Sequence, residues 1–222
     1  MPWEILRVPQ LLLVLMLVLS PLEERLASWP AWSLPAPLAR PGQADLIYPN
    51  WFEGRWMVRS HDRSGEQPDL EYPVRFVANG QGQVVGDRAF NAASIGHALL
   101  GEQLLAVRND PRNPNRQLAE LAGDQRLEST VVGRRSAVAE ERFTADELAL
   151  QVLHGPGDPR VSRVETLSDY RRIGPDRIEA EQRQASYGSP AQGLRAEARS
   201  SWHSSLVLER LGPPQWTPPP DP

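Results

Sequence analysis

The chain has 222 residues, 24 basic against 28 acidic side chains, and no cysteine. That length suits one domain with a core of useful size. The near-neutral charge excludes the basic stripe of a nucleic-acid binder, and the missing cysteines exclude disulfides, thiolate metal sites and cysteine nucleophiles. Lysine is absent too, so arginine carries every side-chain cation apart from histidine; codon bias explains this ahead of any demand for guanidinium groups.

Residues 1–39 read as a signal peptide or N-terminal anchor. Leu11 to Leu19 is an unbroken apolar run. It is too short to cross the roughly 30 Å hydrocarbon core as a helix, and it is the right size for the apolar region of a secretory signal peptide. Pro21 and the charged Glu23–Arg25 end it. Ala31-Trp32-Ser33 is the best small-x-small cleavage signal, with Ala36 to Ala39 as a second. The alternative is an uncleaved anchor. Either reading exports the body of the protein to a periplasm or lumen.

From Asp45 to Leu211 turn signals recur at the spacing of an all-β sandwich or barrel. Arg55 to Ser60 alternates Trp56 and Val58 with Met57 and Arg59, as a strand with two faces does. Glu71 to Ala78 puts Tyr72, Val74 and Phe76 on one side. Val84 to Phe90 reads as a third strand. Ile95, Leu99 and Leu100 then fall at helical spacing before Gly101, which predicts one short helix. Further strands are expected at 103–108, 117–122, 127–133, 138–144 and 148–154, separated by turn-forming sequences.

Two later segments, 161–173 and 177–187, fit either helices or strands. Gly174 to Asp176 is a hairpin-sized connection, and the strand reading keeps the architecture consistent. Trp202 to Leu211 is the last strand. About nine or ten strands in an up-and-down antiparallel sheet would leave exposed edges unless the sheet closes into a barrel. The end, 212–222, is proline-rich and expected to be an extended, solvated tail.

Gly54-Arg55-Trp56, entering the first strand, resembles the G-x-W signature of lipocalins and the wider calycin group. The resemblance implies a glycine that lets the chain turn into the barrel and a tryptophan that plugs its closed end. It also implies an arginine near the last strand packed across that ring, and Arg210 is the candidate. On a longer scale, LIYPNWFEGRW, RAFNAASIGHALLG, DPRNPNRQ and VETLSDYRRIGPDRIEAEQ resemble an uncharacterised calycin-like family of lumenal or periplasmic proteins from cyanobacteria and plastids. That family implies an exported β-barrel over about Asp45 to Leu211 and brings no activity with it.

Chemical motifs are sparse. His61, His97, His154 and His203 are never at ligand spacing, so no metal site is expected. The sequence Gly80 to Gly86 has the glycines of a turn and opens no helix, unlike a dinucleotide fingerprint. Asp110 to Arg116 is the most distinctive polar stretch. It reads first as a rigid loop and second as a barrel rim in which Asp110, Asn113, Asn115 and Arg116 take a polar head group or a partner. If Phe90 points inward along a strand, so does Arg88, and its guanidinium then needs an acidic partner. Glu165, Glu179 and Glu181 are the candidates.

Tyr48, Trp51 and Phe52 are expected to cover an open end of the barrel, with Trp56 filling the core beneath. The leading expectation is a monomeric, non-enzymatic binder of a small hydrophobic molecule such as a pigment or lipid, without cofactor and without nucleic acid. Trp51, Trp56, Arg88, Phe90, Asp110, Asn113, Asn115 and Arg116 are its candidate site residues. The alternative is a filled barrel whose rim, with Trp51 and Asp110 to Arg116, docks on a membrane-protein complex as an assembly factor. A hydrolase or isomerase using inward carboxylates comes third.

Overall fold

The computed structural model describes residues 19–212. The apolar run up to Val18 and the proline-rich tail from Pro213 lie outside the described residues. Chain order is α1 (Pro21–Ala27), β1 (Ser33–Leu34), β2 (Ile47–Tyr48), β3 (Gly54–Asp62), β4 (Leu70–Ala78), β5 (Val84–Gly86), α2 (Arg88–Leu100), β6 (Leu104–Asp110), β7 (Asn113–Leu121), β8 (Gln125–Val138), β9 (Arg142–Gly155), β10 (Gly157–Gly174), β11 (Arg177–Tyr187), β12 (Ala196–Glu197) and β13 (Ser200–Leu211). Short 3-10 turns lie at Asn50–Phe52, Gly101–Gln103 and Pro190–Gln192.

Eleven strands form one antiparallel sheet in the order β2-β5-β4-β3-β13-β11-β10-β9-β8-β7-β6. Side chains alternate between its faces. Trp56, Val74, Phe76, Phe143, Ile178 and Leu208 meet in one apolar cluster although they come from five different strands. Their convergence requires a strongly curled sheet, and the right-handed twist of successive strands supplies the curl.

The expected closed barrel is an all-β, up-and-down half-barrel. β2 and β6 are the two edges and do not pair. Helix α2 stands where closure would occur and packs on both β4 and β6. Gly96 makes that approach possible, because a Cβ there would lie 2.5 Å from Leu104 Cδ2. The physical reason for the seam is length: β2 and β5 offer only two and three residues, too few to zip onto the seven of β6.

Other expectations are corrected in detail. The third strand stops at Gly86, because Asp87 caps α2 by accepting from Phe90 N at 3.1 Å; Arg88 and Phe90 therefore sit in the first turn of a helix. The expected break after Gly133 is absent. β8 runs to Val138 with a bulge between Val131 and Gly133, and Arg134 and Arg135 stand opposite Glu147 and Asp146. The turn falls at residues 139–141, inside the segment expected to be a strand, and the expected gap at 145–147 is mid-strand in β9. The ambiguous pair 161–173 and 177–187 is the β10–β11 hairpin, paired from Arg163↔Tyr187 to Gly174↔Arg177.

Residues 20–39, read from sequence as leader, form a strap on the convex face. Ser20 caps α1 in a reciprocal capping box with Glu23. Leu22, Trp32 and Leu34 then pack on Leu167, Ala185 and Tyr187, and β1 pairs with β12. At Ala39 the strap exchanges two backbone hydrogen bonds with Arg134, of 3.2 and 2.7 Å. Beyond Ala39 the chain rounds β8, so that Leu46 and Tyr48 join the concave core.

Candidate functional site: a cup with one filled end

The concave face is closed at one end by aromatics. Trp51 stacks on Phe52 with ring centres 4.3 Å apart, and Phe52 makes edge contacts with Tyr48 at 5.0 Å and Tyr170 at 5.1 Å. Trp56 lies below, fully buried, and donates its indole N–H to Phe52 O at 2.7 Å. Arg210 covers the ring with its guanidinium carbon 4.2 Å from the ring centroid, and it donates to Glu53 O at 2.7 Å and Trp51 O at 3.3 Å. Gly54 has φ +121°, and a Cβ there would meet Arg210 Nη1 at 2.7 Å. Burial pushes the hydroxyls of Tyr48, Tyr72 and Tyr170 above their ordinary ionisation range, so these phenols stay protonated.

A belt of paired charges crosses the face next. Arg88 Nε donates to Asp45 at 2.8 Å and its Nη2 to Glu147 at 3.1 Å. Arg134 donates to the same Glu147 oxygen at 2.7 Å, to Asn115 Oδ1 at 2.6 Å and to Ala44 O at 2.8 Å. Asn115, almost wholly buried, donates to the carbonyls of Gly42 and Ala44. These groups clamp the crossing segment 40–46 onto the inside of the sheet. Burial opposes the charge on Arg88, but Glu147 and Asp45 outweigh it and hold the guanidinium protonated.

Beyond the belt the cup is open. By register, Val131, Ala149 and Val164 stand side by side across β8, β9 and β10, with Leu127 and Leu153 in a further row and Ser129, Gln151 and Ser162 between them. Gln184 and Trp202 continue the lining from β11 and β13. All are half-exposed except Trp202, which is exposed. The Nε2 of Gln117, on the same face by its pairing with Ser129, is buried without a hydrogen-bond partner.

The structure distributes the sequence-derived residues among separate roles. Trp51 and Trp56 belong to the filled end, and Arg88 and Asn115 to the belt. Glu165, Glu179 and Glu181 do not pair with Arg88, because they lie on the opposite face of the sheet or beyond reach of α2; Asp45 and Glu147 take that place. Phe90 is half-buried under the Arg75 guanidinium, 4.6 Å from the ring centre.

The Asp110–Arg116 stretch is a tight β6–β7 hairpin. Asp110 accepts from Arg112 N and pairs with Arg116, Asn113 accepts from Asn115 N, and Arg116 also bonds Glu128. Asp45, Glu147 and Arg134 escaped the sequence reading. The one available signal was the mirror placement of Arg134-Arg135 and Asp146-Glu147 about the Glu140-Glu141 turn.

His61, His154 and His203 face Asp69, Glu128 and Glu181 respectively. Among the described residues no group of three or more His, Asp or Glu side chains gathers as a metal site. Surface crevices of about 430 Å³, beside Pro175 and Arg210, and about 160 Å³, beside Leu26 and Val138, lie outside the cup.

The fold and site thus define an all-β half-barrel with an aromatic plug, a charged belt and an open polar-apolar face. The chain belongs to the family described as Domain of unknown function (DUF6816), whose model matches residues 40–203. No curated protein and no solved structure matches the chain.

Proposed function

We propose that this protein is a non-enzymatic, lipocalin-like binder, exported to a periplasm or lumen, that takes a small hydrophobic molecule with a polar end into the open half of its cup. The observation that carries this reading is the half-exposed row Val131, Ala149 and Val164, flanked by Leu127, Leu153 and Trp202 and interleaved with Ser129 and Gln151. Ligand sites are concave and apolar with a few oriented polar groups, and a small barrel accommodates one small ligand. Gln117 Nε2 is a spare donor for the polar end. The belt charges are already paired with one another, so they serve as a floor; the acid–base chemistry of an unpaired carboxylate dyad has no support in them.

The test is native mass spectrometry of the protein purified from its own host, followed by organic extraction. A stoichiometric pigment or lipid, lost in Ala149→Arg, is the expected result. An empty wild-type protein overturns the reading.

A second reading, an interaction factor docking on a membrane-protein complex, is favoured by three exposed leucines at the α2–β6 corner: Leu99, Leu100 and Leu105 are 60%, 48% and 61% exposed. Leu99→Arg would then release a co-purifying complex while leaving any extracted ligand in place.

A further inference from the structure

Beneath the strap, on the convex face, lies a charge cluster that the cup does not use. Arg25 of α1 reaches through to Glu165 on β10, with hydrogen bonds of 2.7 and 2.6 Å. Tyr187 on β11 donates its hydroxyl to Glu165 at 2.6 Å and accepts from Arg25 at 3.1 Å. Trp32 closes the site, its ring 4.7 Å from the Arg25 guanidinium carbon and its indole N–H on Arg25 O at 2.7 Å.

Asp146 on β9 is fully buried beside this pair, and neither of its carboxylate oxygens has a hydrogen-bond partner. The groups that face it are Arg25 from α1, Glu165 from β10 and Tyr187 from β11, with Arg135 as its register partner on β8. Glu147, the next residue on β9, turns to the concave side. Arg25 and Tyr187 direct their donors to Glu165. An ionised Asp146 would therefore add a second buried anion to a site with one strap cation.

We infer that residues 20–38 are a proton-operated latch, shut over Asp146 while that carboxyl carries a proton and loosened once it has lost it. Burial first, and the neighbouring Glu165 second, push the Asp146 carboxyl up to about 8. With the strap lifted and water admitted, the group returns towards the ordinary carboxylate value of about 4. Between those values the shut form holds a proton that the open form releases. Opening is then favoured as pH rises through this window and levels off above about 8. Arg25 and Trp32 supply the grip in both states, so the proton alone sets how often the strap lifts. Lifting it would uncover Leu167, Ala185 and Tyr187, the apolar patch on which Leu22, Trp32 and Leu34 now sit.

The test is amide hydrogen exchange, read by mass spectrometry on the full purified protein between about pH 5 and pH 8, with labelling times scaled for the intrinsic chemistry. Peptides from residues 20–38 are compared with β3 and β13. The expected result is a strap-opening constant that rises towards the limit of about tenfold per pH unit set by release of one proton, while β3 and β13 do not change. Asp146→Asn should flatten that dependence. Glu165→Gln, which frees Arg25 for Asp146, should make the rise level off at lower pH, and it tests the latch separately if Asp146→Asn does not fold. Strap protection independent of pH in the wild type, an undiminished slope in Asp146→Asn, or an N-terminus of the purified protein beyond Ser33 each overturns the latch.

Discussion

Arg210 and Trp56 are direct partners across the β3–β13 ladder, and the guanidinium sits over the indole with 4.2 Å between its carbon and the ring centroid. The contact joins the last strand to the first long one and caps the filled end of the cup. The planar fork of Arg210 also serves the carbonyls of Trp51, Glu53 and Pro175, so one side chain ties down two loop segments.

Trp56→Ala should therefore cost about 3–5 kcal/mol, the range for emptying a buried aromatic site. Arg210→Ala should cost about 2 kcal/mol. Arg210→Lys should recover little, because an ammonium cannot span the three carbonyls. Urea unfolding followed by tryptophan fluorescence measures all three.

Gly54→Ala should destabilise by about 1–3 kcal/mol, since its φ of +121° suits only glycine and the new methyl would meet Arg210. The steric part depends on that arginine. In an Arg210→Ala background the same substitution should cost less, and the double-mutant cycle should show a coupling above about 0.5 kcal/mol.

Asn115→Ala should free the carbonyl of Gly42, leave Ala44 O with its Arg134 bond alone and leave Arg134 short of one acceptor, with a loss of about 2–3 kcal/mol. Its particular signature would be local. Limited proteolysis should cut within residues 40–46 well before it cuts β9 or β10, whereas wild type should resist at both places.

Glu147→Gln should be worse than its half-exposed position suggests, because two guanidiniums share that carboxylate. A loss near 3 kcal/mol is expected. Glu71→Gln is the contrast. The Arg59–Glu71 pair is more than half exposed on both sides, so its loss should be within about 0.5 kcal/mol, and added salt should screen it further. Thermal unfolding at low and high salt distinguishes the two.

Much of this architecture is legible in the chain. Alternation in Arg55 to Ser60 and Glu71 to Ala78 marks β3 and β4, because a strand with one buried face must repeat every second residue. The glycine and tryptophan of Gly54-Arg55-Trp56, and the arginine near the far end, are found at the filled end of the cup. Gly174 to Asp176 betrays the β10–β11 hairpin, although Val161, Val164 and Leu167 mimic helical spacing. They mimic it because β10 is buried on both faces: the strap covers Leu167 while the cup lines Val164, and two buried faces erase the alternation.

The residues of the belt were not legible for a different reason. Asp45, Arg88, Asn115, Arg134 and Glu147 come from five segments, and no local rule brings them together. Sequence by itself determined the class of fold, the position of most strands, and the absence of cysteine chemistry, since these follow from composition and short-range periodicity. Only the tertiary structure decided that α2 fills the seam, that residues 20–39 are a strap, and that Asp146 is buried without a partner while Glu147 beside it faces two arginines. Those outcomes depend on which face of a strand another segment covers, and that is set by packing across the whole sheet.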